Sequence, residues 1–182
     1  NQILIVHNYL RDKVATRLLY TNEKGMATMK WSSELVNIAE NNVMQCMVSH
    51  DSCNTNGYRI TGQNVALTTY SGEFTKQSDD QLVTGTLQNW WQEFQIYERQ
   101  SNAYWTSHRD LSAMLMEKSD SVGCAAARYV ENRSNKFLMT CVYATASPPD
   151  LFYNIGKSNP GCIFGYNPQF PHLCSEFEKY YS

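Results

Sequence analysis

Ile3, Val6, Leu10, Val14 and Leu18 recur at steps of three and four. That is the spacing of one helix face, and it predicts an amphipathic helix over about residues 2–19. A second helix is predicted to begin with Ser32 or Ser33 as its N-cap and Glu34 in its first turn, carrying Leu35, Ala39, Val43 and Cys46 on one stripe. One more step of four reaches His50, which this pattern places on the core-facing side at the helix's inner end. Ser78-Asp79-Asp80-Gln81 has the spacing of a capping box with an acidic first turn, so a third helix should follow. Its stripe is Val83, Leu87, Trp90, Phe94 and Tyr97, interrupted by Gly85 at a cost of about 1 kcal/mol against Ala. Glu93 lies three residues after Trp90 and four before Tyr97, beside that aromatic face. A shorter helical segment is expected at 111–117.

Two β-prone runs, 122–130 and 136–143, flank a polar stretch and read as a hairpin. A turn centred between Asn132 and Arg133 places Cys124 opposite Cys141, within the separation a disulfide accepts. For the other four cysteines several connectivities remain open, and Cys46 with Cys53 and Cys162 with Cys174 are the least entangled choices. From residue 147 onward the chain holds all five prolines and two cysteines with little periodicity, which reads as an irregular, stapled extension (147–182) of a body at 1–146.

The apolar fraction of 42% is enough for a buried core, and 182 residues is the length of one domain. A net charge of -2 with no run of like charges argues against a nucleic-acid partner. No apolar stretch approaches the roughly 20 residues of a membrane span. An even cysteine count without Cys-x-x-Cys pairs points to disulfides and an extracellular setting, and the sequon Asn132-Arg133-Ser134 agrees with a secretory route. The first residues lack the basic and apolar regions of a signal peptide, so the sequence is expected to be a mature or trimmed form.

No nucleophile-elbow, zincin, phosphate-loop or dinucleotide motif is found. The four histidines, His7, His50, His108 and His172, have no metal-pair spacing, and paired cysteines leave no thiolate nucleophile. The aromatic load of twelve Tyr, seven Phe and four Trp is the more informative feature. Glu98 to Asn102 breaks the helical period, so 97–105 reads as a loop. There Tyr104 and Trp105 either tuck onto the sheet or close over an apolar ligand.

An ordered set of short motifs resembles the CAP superfamily of cysteine-rich secretory, antigen-five and pathogenesis-related proteins. The set is His7-Asn8-x-x-Arg11, Met29-x-Trp31, Cys46-x-x-x-His50, Gly62-Gln63-Asn64-Val65, Trp90-x-x-Glu93, and Val122-Gly123-Cys124 leading to Cys141-Val142-Tyr143. It covers roughly residues 3–145, and the cysteine pattern looks most like venom allergen-like proteins of parasitic flatworms. The resemblance implies an α+β fold, a three-layer α-β-α sandwich with a short disulfide-stapled C-terminal extension. It also implies a cavity where two His and two Glu hold a divalent metal in many members. Here that tetrad carries over as His50, Gln63, Glu93 and Asp110, with His108 nearby as a substitute candidate. Such a donor set suits Zn²⁺ poorly, so neither a resident metal nor another cofactor is expected, and no enzymatic activity. His7, Asn8 and Arg11 match a motif read as structural. The family's lipid-binding traits imply sterol contacts at Tyr97, Tyr104 and Trp105, and a fatty acid between the first and third helices. The expectation is therefore a secreted carrier or scavenger of sterols and fatty acids, the alternative being a protein-interaction module that engages a host protein.

Overall fold

The computed structural model describes residues 2–18, 25–51, 61–99, 113–145 and 161–180, with the side chains of all but 17–18 and 93–99. In chain order the elements are α1 (Gln2–Leu18), β1 (Lys30–Trp31), α2 (Ser33–Val43), β2 (Gly62–Tyr70), α3 (Asp79–Arg99), β3 (Ser121–Glu131) and β4 (Ser134–Tyr143). The strands form one sheet in the order β1-β3-β4-β2, parallel at β1–β3 and antiparallel elsewhere.

The hairpin register is the expected one, with Cys124 opposite Cys141 and the two joined by a disulfide. Side chains of β4 alternate between two covered faces, so the strand reads as nearly continuous buried residues. Phe137, Met139, Cys141 and Tyr143 meet Leu10 and Val14 of α1 and Leu82, Leu87 and Trp90 of α3. Leu138 and Val142 point the other way, where α2 supplies Leu35, Ala39 and Val43. The product is a three-layer sandwich: α1 and α3 on one face, the sheet, α2 on the other.

Both long helical starts follow their sequence signals. The Ser32 hydroxyl accepts from the Leu35 amide, while Ser78 and Gln81 close a reciprocal capping box at 3.2 and 2.9 Å. Gly123 lets α2 lie directly on β3, since a Cβ there would collide with the backbone of Ser32, Leu35 and Val36. Three expectations need correction. α2 stops at Val43, and Cys46 takes a left-handed φ of 52°, so Cys46 and His50 leave the helical stripe and both are exposed. α3 continues to Arg99, so Tyr97 belongs to its last turn rather than to a loop. Only 113–115 is helical within the described part of 111–117. The sequence reading assigned neither β1 nor β2.

The most deeply buried face of α1 is polar. His7, Asn8 and Arg11 are 0, 3 and 0% exposed. Asn8 pairs with the backbone of Met29 through both its amide atoms, at 2.8 and 3.0 Å. The Arg11 guanidinium donates to the carbonyls of Ala27, Met114, Met116, Glu117 and Ser119 at 2.8 to 3.3 Å. Its planar fork satisfies acceptors that neither sheet nor helix reaches.

Segment 161–180 is tied to the same region. Its second disulfide, Cys162–Cys174, rests against Gly25, where no side chain would fit. The Cys174 amide donates to Met26, and Thr28 donates to the Cys174 carbonyl.

Lysine has fewer donors and no fork, so Arg11→Lys is expected to lower unfolding free energy by at least ~3 kcal/mol. Urea denaturation at constant pH measures the loss; a change under about 1 kcal/mol would show that the five carbonyls do not depend on the guanidinium.

Candidate functional site

At the end of the sheet where β2 begins, five polar side chains converge, from β4, α2, β2 and the segment that follows α2. Thr140 of β4 donates its hydroxyl to Asn42 Oδ1 at 2.6 Å, and both residues are fully buried. Asn42 Nδ2 donates to Asp51 Oδ2 at 2.7 Å and to the Ser49 carbonyl at 3.0 Å. Gln45 Nε2 reaches the other Asp51 oxygen at 3.1 Å. Gln63 completes the set: its Oε1 accepts from the Asp51 amide at 2.8 Å, and its Nε2 lies 3.5 Å from Asp51 Oδ2.

An amide suits this position because it offers an acceptor to the Asp51 N–H and a donor to the Asp51 carboxylate. Gln63 is thereby held by Asp51, and Asp51 by three amide side chains. Among the expected tetrad positions, His50 sits one residue before Asp51 and is exposed. The Glu93 side chain, Asp110 and the substitute candidate His108 lie outside the described residues. So do Tyr104, Trp105, Cys53 and the side chain of Tyr97. Gln63 does not fit a divalent-metal site, being neutral and already hydrogen-bonded through both amide atoms. Among the described residues no group of three His, Cys, Asp or Glu could hold a metal ion. Asn42 and Asp51 were missed by sequence reasoning; the available signal was an Asn on the buried stripe of α2, where only a partner makes burial tolerable.

The remaining cysteine expectations resolve unevenly. Cys162–Cys174 is formed, whereas Cys46 is a free, exposed thiol, so its expected bridge is not made.

Two further polar groups resemble catalytic sets without the required geometry. Thr16, His172 and Asp12 lie together, but Thr16 Oγ1 and both Asp12 oxygens meet the same ring nitrogen, Nδ1, at 3.1 and 3.2 Å. A triad needs nucleophile and carboxylate on opposite nitrogens. This set instead docks the C-terminal segment on α1, helped by the His172 amide on Asp12. His7 is sealed in the core. Its Nδ1–H donates to the Ile3 carbonyl at 2.8 Å, so Nε2 accepts from the Tyr143 hydroxyl at 3.0 Å, and Asn64 donates to that hydroxyl in turn. Burial drives its pKa down to about 4, with the Arg11 charge adding to the shift and the Ile3 hydrogen bond opposing it.

A family model described as the cysteine-rich secretory protein family, CAP, matches residues 4–143. The chain belongs to the CAP family. Similar CAP proteins include venom allergen-1 of Aedes albopictus, 32% identical over 97% of this chain and 72% of its own length. Venom allergen-1 of Aedes aegypti is 30% identical over 98% and 73%. Among solved structures, NaASP2 with Zn²⁺ superposes at a TM-score of 0.64, with 19% identity, over 95% of this chain and 93% of that one. Schistosoma mansoni venom allergen-like protein 4 gives 0.55 and 20% over 86% and 94%. At such identities the structural matches support the CAP fold alone.

Two outcomes follow from this geometry. Gln63→Glu sets a second carboxylate against Asp51 and removes a donor, so stability at pH 7 is expected to fall by about 1–3 kcal/mol. One carboxyl of the pair then has a raised pKa, so part of the loss returns as pH falls toward 5. Urea midpoints at the two pH values report this; a pH-independent loss would contradict the pairing. His7 has a folded pKa below its unfolded value of 6.5. The unfolded chain therefore binds the proton first as pH falls. The stabilisation is complete above 6.5, erodes down to about 4, and amounts to about 3 kcal/mol. In His7→Gln that slope should flatten, even though the variant is less stable overall; an unchanged slope would assign the pH dependence elsewhere.

Proposed function

We propose that this CAP protein is a secreted, non-enzymatic lipid-binding protein that carries or sequesters sterols and fatty acids. The observation that carries the reading is the Asp51–Gln63 clamp. It occupies, with neutral amides, the corner where a charged ligand set would be needed for metal-assisted chemistry. Binding by apolar surface is then the remaining use of the framework. In support, Ile3, Leu4 and Val6 of α1 and Val83 and Trp91 of α3 are only partly buried where they lie against the core. A chain between those helices would be held by removal of apolar area from water, worth about 25 cal/mol per Å². The sterol contacts proposed from sequence are Tyr97, Tyr104 and Trp105.

The extracellular assignment rests on two disulfides, a family described as secretory, and relatives named as venom allergens. No helix among the described residues is long and apolar enough to cross a membrane. The flatworm venom allergen-like affiliation rests on the cysteine pattern alone, since the match to the Schistosoma protein at 20% identity supports only the shared fold and the sequence relatives given above are from mosquitoes.

One observation favours a second reading, a protein-interaction module. On the stapled segment, Ile163, Phe164, Tyr166 and Phe177 are each more than half exposed. Their backbone is held by Cys162–Cys174 and by Glu178, which accepts from the Phe164 amide. Rigid, exposed aromatics of this kind suit a protein partner.

Radiolabelled-cholesterol binding separates the two. Tyr104→Ala/Trp105→Ala should weaken binding about tenfold or more, while Phe164→Ser/Phe177→Ser leaves it unchanged; undiminished binding in the first variant would remove the loop from the mechanism.

A further inference from the structure

The β3–β4 hairpin closes with the two residues Asn132 and Arg133, at φ 48° and 61°. Two successive left-handed residues are the signature of a type I′ turn, in which asparagine is favoured. The four residues 130–133 are all exposed at the tip, and the Asn132 side-chain amide is engaged by no hydrogen bond among the described residues. Ser134 follows at the first position of β4, completing Asn-x-Ser, and no other such triplet occurs in the chain.

We propose that Asn132 carries an N-linked oligosaccharide; this rests on the extracellular reading above. In the modification a lipid-linked oligosaccharide diphosphate is the donor. The Asn132 amide nitrogen bonds to the anomeric carbon of the first sugar and gives up a proton. The bond from that carbon to the phosphate oxygen breaks, and the lipid diphosphate leaves with the electron pair. The turn suits the product because the nitrogen faces solvent and loses no partner.

The position also says what the glycan does. β4 runs from Ser134 beside the tip to Val142, which pairs with Gln63. Eight residues of strand span about 26 Å. A glycan at the tip therefore covers exposed Val130, 61% accessible, and its hairpin surroundings while leaving the Asp51–Gln63 end of the sheet open. The hairpin end is the part of the sheet that such a glycan shields.

Intact mass of the protein from its native source, before and after peptide-N-glycosidase, is the test, combined with variants secreted from insect cells. The mass should exceed that of the chain, fall on digestion, and leave Asp at position 132. Ser134→Ala should be secreted at the bare mass with the Asn132 turn intact, and Ser134→Thr should keep the glycan. A bare wild-type mass with Cys124–Cys141 oxidised would overturn the glycan and leave the extracellular reading standing. A chain found inside cells with its cysteines reduced would overturn both.

Discussion

One buried guanidinium organises the region where the three layers and the C-terminal segment meet. Arg11 gathers carbonyls from Ala27 and from four residues between Met114 and Ser119. Those segments approach β1 and β3 and share few backbone bonds, Ala27 N–H to Glu117 and Ser119 N–H to Met116, so the guanidinium supplies further donors to these carbonyls and to those of Ala27, Met114 and Ser119. Asn8 does the same for Met29, one turn earlier on the helix. With 26–29 fixed in this way, the Met26 carbonyl and Thr28 hydroxyl are positioned to receive Cys174. The stapled segment thus depends on a side chain that it does not touch through any of these bonds.

This arrangement explains which parts of the fold were legible. The helix starts were visible because capping side chains are local: Ser32, Ser78 and Gln81 act within four residues. The hairpin register was visible because a two-residue turn fixes every facing pair, including Cys124 with Cys141. β2 was not, although Val65, Thr68, Thr69 and Tyr70 favour a strand, because its partner β4 lies far along the chain. The end of α2 was misplaced because the apolar step of four continues formally through Cys46 to His50. Nothing in that spacing reveals the left-handed backbone at Cys46 that ends the stripe. α1 shows the reverse effect: its polar residues are its most buried, which hydrophobic periodicity does not register.

The candidate site was half legible. That Gln63 stands where the resemblance implies a Glu was legible in the motif, but its consequence needed Asp51. The aspartate meets the amide through its own backbone N–H and its carboxylate, so the neutral residue has a structural task. Asn42 and Thr140 extend that task across the sheet to α2. A corner that could have presented charge to a ligand is instead an internal cross-link. Exposed apolar residues flank the corner at Met44, Met47 and Val48 and recur on the stapled segment, and partly buried ones lie along α1 and α3. This is the framework on which the proposed recognition by apolar surface rests.

Native mass spectrometry of the protein purified without detergent tests this account most directly. The account requires a one-to-one lipid adduct that survives gentle ionisation and disappears on solvent extraction, with no added divalent metal. A chain that instead retains stoichiometric zinc and carries no lipid would contradict it.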